Sequence, residues 1–196
     1  MKFSVIGLSE TWYTDSTSSL YTIDGYRSVS NYRSERRGGG VSLLINDILN
    51  FSQRKDLDTM CSDVESLFIE MSEKKELSSD KDVLIGVIYR PPDTNLDNFI
   101  EYMTLVMEKV KKENKYCYLL GDYNLNLLNA EKHNKTGEFV DLMFSYHFVP
   151  LINKPTRVRE NSATLIDNIF TNNITSDAKQ GIFYTDISDH FPIFCC

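Results

Sequence analysis

Short apolar runs separated by polar stretches recur along the whole chain. Most are rich in Val, Ile, Phe and Tyr, a composition typical of β-strands. Residues 82–90, DVLIGVIYR, are apolar almost without interruption, which predicts a strand buried on both faces, whereas residues 66–71, SLFIEM, alternate in part. The pattern predicts seven strands, at 4–8, 40–46, 66–71, 82–90, 117–123, 163–171 and 181–185.

Two segments have the apolar period of an amphipathic helix. The first covers 94–113, with Asp93 or Thr94 as its N-cap, and the second covers 136–148, with Thr136 as its N-cap. We interpret the methionines in both segments as core residues rather than as part of a cofactor site. The apolar stripes consist of Phe99, Met103, Val106, Met107 and Val110 in the first helix and of Phe139, Leu142, Met143 and Tyr146 in the second.

The connections between these elements are consistent with a single folding unit. Residues 72–81, SEKKELSSDK, are polar and predict a hairpin loop between two strands. The glycines at 38–40 lack the spacing of a nucleotide-binding loop. With more strand than helix and no internal repeat, the chain is predicted to be one α/β domain that covers residues 1–196.

The composition is that of an ordinary globular protein, with 196 residues, 41% hydrophobic and 25% charged. No apolar run approaches the ~20 residues that a membrane helix needs, and MKFSVIGLSETW has no signal-peptide cleavage pattern. We therefore expect an intracellular protein, nuclear or cytoplasmic, that is not secreted and binds no membrane. The four cysteines form no CxxC pattern, which argues against a disulfide framework and a zinc site, and Cys117 is predicted to fill core.

The net charge of −7 argues against nucleic-acid binding by bulk charge alone. It is compatible with a nuclease, in which acidic residues hold a metal ion and basic residues act locally. Each of two basic stretches is compatible with contacts to a nucleic-acid backbone, and a solvated loop is the alternative. The first contains Arg27, Arg33, Arg36 and Arg37 among tyrosines, and the second contains Lys154, Arg157 and Arg159.

Four segments place polar side chains at the end of an apolar run or within it. In LLGDYNLNLL, residues 119–128, Asp122 and Asn124 are two apart, so both leave a strand on the same face; a loop after the strand explains the pair equally well. Because buried carboxylates are costly unless paired or bound to metal, a convergent acidic cluster is the economical interpretation. Its members are Glu10, Asp122, Asn124, Asp167, Asp189 and His190.

Among the three histidines, His190 is the candidate for chemistry. A general base needs a carboxylate on its second ring nitrogen, which Asp167 or Asp189 could supply, and a buried, fully hydrogen-bonded histidine is the alternative. His133 is predicted to face solvent, and His147 closes the second helix. Zinc and serine-hydrolase motifs are absent. Carboxylates, an amide and a histidine suit Mg²⁺ or Mn²⁺, and a hard cation with an in-line water predicts phosphate-ester hydrolysis.

Five short motifs occur in order: SETW (9–12), GVIYRPP (86–92), GDYN (121–124), LID (165–167) and SDH (188–190). Together they resemble the endonuclease/exonuclease/phosphatase superfamily over essentially the whole chain. RGGGVSLLI, PTR (155–157) and LIDNIF are most similar to the apurinic/apyrimidinic-endonuclease-like domain of non-LTR retrotransposons. The resemblance implies a four-layered α/β-sandwich, with two packed mixed β-sheets flanked by helices, and metal-dependent cleavage of a phosphodiester in DNA.

The resemblance also implies roles for the residues around the metal ion and the attacking water. Glu10 is expected to bind Mg²⁺ or Mn²⁺, and Asp189 to belong to the acidic cluster on the metal side. Asp122 is expected to orient or deprotonate the water. Asn124 is expected to help hold the water and the scissile phosphate.

On the phosphate side, the resemblance implies that His190 contacts the phosphate and stabilises its developing charge, while Asp167 orients the imidazole. Tyr89 is expected to reach the phosphate from the end of its strand. A monomer is expected, with DNA as its partner and a reverse-transcriptase domain in the parent polyprotein, although no such region follows FPIFCC.

The chain departs from the family pattern at its start. Family members begin with a strand that ends in an Asn near the metal ion and is followed by a helix, but no Asn precedes Glu10. We therefore interpret the chain as an N-terminally truncated element copy or a partial gene model that lacks the first strand and helix. Such a sheet has an exposed edge, and the metal site is one ligand short.

Three functions are compatible with these residues. The first is a DNA endonuclease that nicks target DNA in retrotransposition. The second is a catalytically inactive remnant that acts at most as a nucleic-acid-binding or interaction module, because the first strand is missing. The third is a phosphatase for a small phosphoester such as a phosphoinositide, against which the YRPP and PTR motifs argue.

Overall fold

The computed structural model describes residues 2–34, 37–71, 82–174 and 178–196. Two α-helices lie in these ranges, α1 (Leu96–Glu113) and α2 (Asn134–Ser145), with a short 3₁₀ helix at Leu127–Asn129. The strands are β1 (Val5–Ser9), β2 (Tyr26–Asn31), β3 (Val41–Asn46), β4 (Ser52–Gln53), β5 (Thr59–Met60), β6 (Glu65–Met71), β7 (Val83–Tyr89), β8 (Tyr116–Asp122), β9 (Val149–Pro150), β10 (Arg157–Arg159), β11 (Ser162–Thr164), β12 (Asp167–Thr171), β13 (Gln180–Ile182) and β14 (Ile193–Cys195).

Two sheets form the body of the fold. The small sheet has the strand order β1–β3–β2, and the large sheet has the order β4–β6–β7–β8–β12–β9, with β5 also paired to β6. β7 and β8 are parallel, and α1 connects them, because parallel neighbours need a crossover connection. β10 with β11, and β13 with β14, form separate two-stranded ribbons.

Hydrophobic side chains fill two layers on opposite faces of the large sheet. Leu67 and Ile85 face the small sheet, whereas Phe68 and Leu84 face the helices, because neighbouring residues in a strand point to opposite sides. β7 is buried on both faces, as its continuous apolar run predicts. The α/β-sandwich is confirmed, and in the described residues it has three layers, since both helices pack on the same side of the large sheet.

The first helix begins one residue later than the predicted caps allow. The side chain of Asn95 accepts hydrogen bonds from the backbone N–H groups of Asp97 and Asn98 at 2.8 and 3.3 Å, so Asn95 is the N-cap. The prediction of Asp93 or Thr94 is therefore wrong, and Thr94 instead accepts a hydrogen bond from Arg90. The predicted apolar stripe of α1 is confirmed, because all five of its residues are buried.

The second helix is capped by a histidine. The Nδ1 atom of His133 accepts a hydrogen bond from the backbone N–H of Thr136 at 3.2 Å, so α2 begins at Asn134 and the predicted Thr136 cap is wrong. His133 is exposed as predicted. His147 lies beyond the helix end in a left-handed conformation, with φ of 64°. Neither helix in the described part of the chain has the length and apolar character needed to cross a membrane.

Each predicted strand overlaps an observed one, but 163–171 and 181–185 are wrong in extent, and six of the described strands, β2, β4, β5, β9, β10 and β14, are not predicted. The predicted strand 163–171 is two strands, because the carbonyls of Leu165 and Ile166 accept hydrogen bonds from Leu127 and Tyr123 between β11 and β12. The sequence pattern also misses β2, whose residues YRSVSN are mostly polar and belong to the first basic stretch. The predicted hairpin loop at 72–81 lies outside the described residues. Cys117 is fully buried in β8, which confirms it as a core residue.

Candidate active site

Polar side chains line up across one end of the large sheet. Glu65 of β6 lies opposite Tyr89 of β7 in the strand register. Tyr89 lies opposite Asp122 of β8, which in turn lies opposite Asp167 of β12. Residues that are opposite one another in neighbouring strands project to the same face of a sheet. The register therefore gathers polar groups that lie far apart along the chain.

Asp167 and His190 form a hydrogen-bonded dyad. Both carboxylate oxygens of Asp167 lie 3.0 Å from Nδ1 of His190, which donates to them. The hydrogen bond to Asp167 raises the pKa of His190, because the carboxylate favours the imidazolium form. Within the described residues Nε2 of His190 makes no hydrogen bond, so it is free to meet a substrate. Of the two partners that the sequence left open, the structure brings Asp167 to the ring.

The PTR motif fixes both members of this dyad. Thr156 is fully buried, and its hydroxyl oxygen accepts a hydrogen bond from the backbone N–H of Asp167 at 3.1 Å. Its carbonyl accepts one from the N–H of Phe191, next to the histidine, at 2.7 Å. Arg157 forms an isolated β-bridge with His190. One short segment thus holds two residues that are separated by more than twenty positions.

Asp122 and Asn124 lie side by side at the end of β8, as their spacing predicts. The backbone N–H of Asn124 donates to Oδ1 of Asp122 at 2.9 Å, and the side-chain amide donates to Oδ2 at 3.3 Å. Asp122 is only 6% exposed. Burial, followed by the charge of Asp167, raises the pKa of Asp122 to about 7. A carboxyl that titrates near neutral pH is suited to accept a proton from water.

The GDYN and YRPP motifs interlock through Arg90. This buried guanidinium donates to the carbonyls of Tyr123 at 2.7 Å and Asn124 at 2.8 Å. The side-chain amide of Asn124 donates back to the carbonyl of Arg90 at 2.9 Å. A Cβ atom at position 121 would lie 2.0 Å from the carbonyl oxygen of Ile88, so Gly121 is required for this close approach. Among the described residues the side-chain oxygen of Asn124 accepts no hydrogen bond, so it remains available.

Glu10 joins these groups from the small sheet. It follows β1 in a left-handed conformation, with φ of 53°, and its carboxylate accepts a hydrogen bond from the hydroxyl of Tyr89. Burial and this hydrogen bond raise the pKa of Tyr89, so its hydroxyl stays protonated. The Glu10 charge also contributes to the raised pKa of Asp122. The two carboxylates therefore interact across the space between the sheets.

Asp189 lines the same cleft, but its carboxylate is paired with two arginines. Its Oδ2 atom accepts hydrogen bonds from Arg157 at 2.6 and 2.9 Å and from Arg159 at 2.8 Å. These two arginines lower the pKa of Asp189 to about 2. The structure thus places the carboxylate in an exposed ion pair, and its predicted role on the metal side stays a prediction.

A cleft of about 710 Å³ is lined at one end by polar side chains, those of Glu10, Asp122, Asn124, Asp167 and His190. The rest of the cleft is apolar and runs between β1 and the β13–β14 ribbon, with Val5, Leu120 and Phe194 in its walls. Within the described residues β1 pairs only with β3, and β14 only with β13, so their edges along the cleft are unpaired.

Most of the first basic stretch contacts the protein itself. Arg27 lies 3.8 Å from Asp47. Arg37 lies over the ring of Trp12, with 5.2 Å between the guanidinium carbon and the ring centroid. Arg33 binds a buried carboxylate, and Arg36 is outside the described residues.

The family follows from the part of the chain that carries most of these groups. The family model described as endonuclease-reverse transcriptase matches residues 83–194. The chain belongs to this family. The matched region contains Tyr89, Asp122, Asn124, Asp167 and His190, and membership supports a phosphodiester hydrolase of the endonuclease/exonuclease/phosphatase superfamily.

The fold that this chain shares with solved structures extends over nearly its whole length. The endonuclease domain of TRAS1, a telomere-specific non-LTR retrotransposon, is 15% identical, with a TM-score of 0.62 over 87% of this chain and 79% of that one. The 3′–5′ exonuclease NExo from Neisseria meningitidis is 12% identical, with a TM-score of 0.63 over 98% and 88%. TDP2 from D. rerio, complexed with a single-strand DNA product, is 12% identical, with a TM-score of 0.58 over 98% and 84%. The comparison with curated proteins found no match.

The donor set of this chain fits a hard divalent cation. Asp122, Asp167 and His190 each offer one ligand atom, and these atoms lie within 4.8 Å of one another. Asp167 and His190 already bind each other, whereas Asp122 and Glu10 repel each other. A cation beside the latter two would relieve that repulsion, and carboxylate oxygens are the ligands that Mg²⁺ and Mn²⁺ prefer.

The sequence patterns assign no role to two residues that support the site, Arg90 and Thr156, or to Glu65, which lies outside the cleft. Arg90 and Thr156 lie within the quoted motifs YRPP and PTR, so the motifs point to them, but their hydrogen-bond partners lie far along the chain. The sequence points to Glu65 less clearly, because it is a single acidic residue at the start of an apolar strand and lies in none of the quoted motifs.

Proposed function

We propose that the chain is an endonuclease that uses Mg²⁺ or Mn²⁺ to nick DNA. The observation that carries this proposal is the convergence of the Asp167–His190 dyad, the Asp122–Asn124 pair and Glu10 on one end of a single cleft. DNA as the substrate is supported by the family description and by the similarity to the TRAS1 endonuclease domain. Action next to a reverse transcriptase is supported by the same description.

Glu10 is the proposed ligand of the cation, with Tyr89 holding its carboxylate through a hydrogen bond. When bound, the cation polarises the phosphate and neutralises developing charge. In this arrangement Tyr89 acts through Glu10, and its predicted contact with the phosphate stays a prediction. Asp189 binds Arg159 and also Arg157, which forms the β-bridge with His190.

Asp122 accepts the proton of the attacking water in this proposal. Its raised pKa keeps it basic enough for that transfer near neutral pH. The free side-chain oxygen of Asn124 accepts the second hydrogen of the same water. Because Arg90 holds the Asn124 backbone, this acceptor is fixed before the substrate arrives.

His190 meets the phosphate from the other side. Asp167 holds the ring by Nδ1, which leaves Nε2 to donate to a phosphate oxygen in the imidazolium form. The raised pKa of His190 favours that form near neutral pH. A donor fixed in this way stabilises negative charge as it develops in the transition state.

The test is a nicking assay on supercoiled plasmid with Mg²⁺ and with Mn²⁺. Wild type is compared with Asp122→Ala and His190→Ala after circular dichroism has shown that all three are folded. The proposal expects nicking by wild type that depends on the cation and is lost in both variants.

Two other results would overturn the proposal. DNA binding by a folded wild type without any nicking would support an inactive remnant. Turnover of a phosphoinositide with no effect on DNA would support a small-phosphoester phosphatase. The DNA-binding and phosphoinositide assays use the same protein preparations and the same cations as the nicking assay.

A further inference from the structure

Glu65 is a buried charge that the proposed reaction does not use. Its side chain is fully buried at the start of β6, in the same register row as Tyr89. It pairs with Arg33, whose side chain is 14% exposed. A buried ion pair gains little stability over well-packed hydrophobic residues, because both charges lose their water. The pair is therefore a candidate for a positioning role.

The carboxylate of Glu65 also holds a glycine loop. Its Oε2 atom accepts a hydrogen bond from the backbone N–H of Gly40 at 2.5 Å. A Cβ atom on Gly39 would lie 2.6 Å from one carboxylate oxygen of Glu65 and 2.8 Å from the guanidinium carbon of Arg33. The loop backbone thus lies directly against the ion pair, and only glycine permits this approach.

The same loop holds the backbone next to Glu10. The carbonyl of Gly40 accepts a hydrogen bond from the N–H of Thr11 at 3.2 Å, and that of Gly39 accepts one from Trp12 at 2.9 Å. Glu10 and Trp12 have φ of 53° and 54°, a conformation that non-glycine residues keep only when surrounding contacts enforce it. The two glycine carbonyls supply such contacts.

We propose that the Arg33–Glu65 pair is a positioning device for Glu10. The pair fixes the loop at Gly39 and Gly40, the loop fixes the turn at residues 10–12, and the turn sets where the Glu10 carboxylate lies. This inference rests on the proposed role of Glu10 as the ligand of the divalent cation. Loss of the pair leaves Glu10 in the chain but no longer fixes the position of its carboxylate. The cation therefore binds more weakly.

The test is the affinity for Mn²⁺ in the absence of DNA, followed by the electron paramagnetic resonance signal of free Mn²⁺. Glu65→Gln keeps the shape of the side chain and removes its charge. We expect its dissociation constant for Mn²⁺ to rise by about tenfold, while the nicking rate at saturating Mn²⁺ changes by less than about threefold. Glu65→Asp, which keeps the charge, is expected to recover part of the affinity.

The matched control for charge removal is Glu70→Gln. Glu70 lies on the same strand and also pairs with an arginine, Arg54, but at the far end of β6 from the glycine loop. We expect this variant to bind Mn²⁺ as wild type does. Equal weakening by Glu65→Gln and Glu70→Gln, or unchanged affinity in folded Glu65→Gln, would overturn the proposal.

Two glycine variants decide the matter if Glu65→Gln does not fold. Gly38 and Gly40 both have positive φ, 97° and 88°, so alanine strains the backbone similarly at either position. A Cβ atom on Gly40 would lie 2.6 Å from the hydroxyl oxygen of Thr11, whereas one on Gly38 meets nothing within 4 Å. If Gly40→Ala binds Mn²⁺ more weakly than Gly38→Ala does, the result supports the positioning of Glu10 through this loop. Equal affinities in the two variants reject it.

Glu10→Gln separates this inference from the function on which it rests. If Glu10→Gln binds Mn²⁺ as tightly as wild type, Glu10 is not the ligand and the proposed function loses its metal site. If Glu10→Gln binds weakly and Glu65→Gln binds normally, the metal site stands and the positioning device does not.

Discussion

The two ends of the large sheet carry clusters of ionisable residues in opposite arrangements. At the end where β6 finishes and β8 begins, Arg54 and Lys115 alternate with Glu70 and Glu113 at N–O distances of 2.7 to 2.8 Å. At the other end, the carboxylates of Asp122, Asp167 and Glu10 converge with one histidine.

The difference appears in the pKa values. Hydrogen bonds from Arg54 lower the pKa of Glu113 to about 2, whereas burial beside Asp167 raises the pKa of Asp122 to about 7. The first arrangement favours the charged form of Glu113 and stabilises the fold. The second disfavours the charged form of Asp122, and the proposed proton transfer from water uses this property. The comparison teaches that stability and chemistry are separated along the same strands.

The largest expected effect is on nicking. Asp122→Asn keeps the shape of the side chain but cannot accept the proton of water, so we expect the rate to fall by about 10³-fold or more. Initial rates on supercoiled plasmid measure it. Asp141→Asn, an exposed position on α2, is the control. A rate within tenfold of wild type would remove Asp122 from the reaction.

The same variant is expected to stabilise the metal-free protein. The folded-state pKa of Asp122, about 7, is above its ordinary value of 3.8, so ionisation costs stability as the pH rises between these values. At pH 8 Asp122→Asn should gain about 2–4 kcal/mol, and at pH 4 almost nothing. Urea unfolding in EDTA at both pH values measures it. An equal change at both would contradict the electrostatic cause.

The opposite end of the sheet should respond in the opposite direction. Arg54→Met leaves Glu70 and Glu113 without their arginine, and we expect a loss of about 1–3 kcal/mol of unfolding free energy at pH 7, since the network is partly exposed. Lys112→Met, an exposed position on α1, is the control. A loss no greater than in that control would mean that the network does not stabilise the fold.

The smallest expected effect is the acid response of this network. The pKa of Glu113 is lowered to about 2 from its ordinary 4.5, so its contribution is present above pH 4.5 and is lost as the pH falls toward 2. The difference in stability between wild type and Arg54→Met should therefore shrink by about 1 kcal/mol from pH 5 to pH 2.5. A constant difference over this range would show that the packing of Arg54, not its charge, matters.

Local features of the fold follow from the sequence because they depend on neighbours along the chain. The apolar stripes of α1 and α2 bury Phe99 and Phe139, as the helical period predicts. The continuous run of β7 is buried on both faces. Errors occur where a distant contact decides, as at Leu165 and Ile166, whose carbonyls bind residues of another segment and split the predicted strand.

The site divides in the same way. The spacing of Asp122 and Asn124 predicts their adjacency, which the structure has. The partner of His190 was open between Asp167 and Asp189, and only the bridge to Arg157 and the arginine pair on Asp189 separate the two. Glu65 has no local pattern that would assign it, because its contacts to Arg33 and Gly40 come from other strands and loops.

The sequence by itself determined the two described helices, the longer strands other than β2, the order of the motifs and the list of residues able to do chemistry. Periodicity and motif spacing are properties of the chain. The tertiary structure decided which of these residues meet. Strand register aligns Tyr89, Asp122 and Asp167, and packing of the small sheet brings Glu10 to Tyr89. Burial then raises the pKa of Asp122. Register, packing and burial are set by contacts between segments that are distant in sequence, so no local pattern contains them.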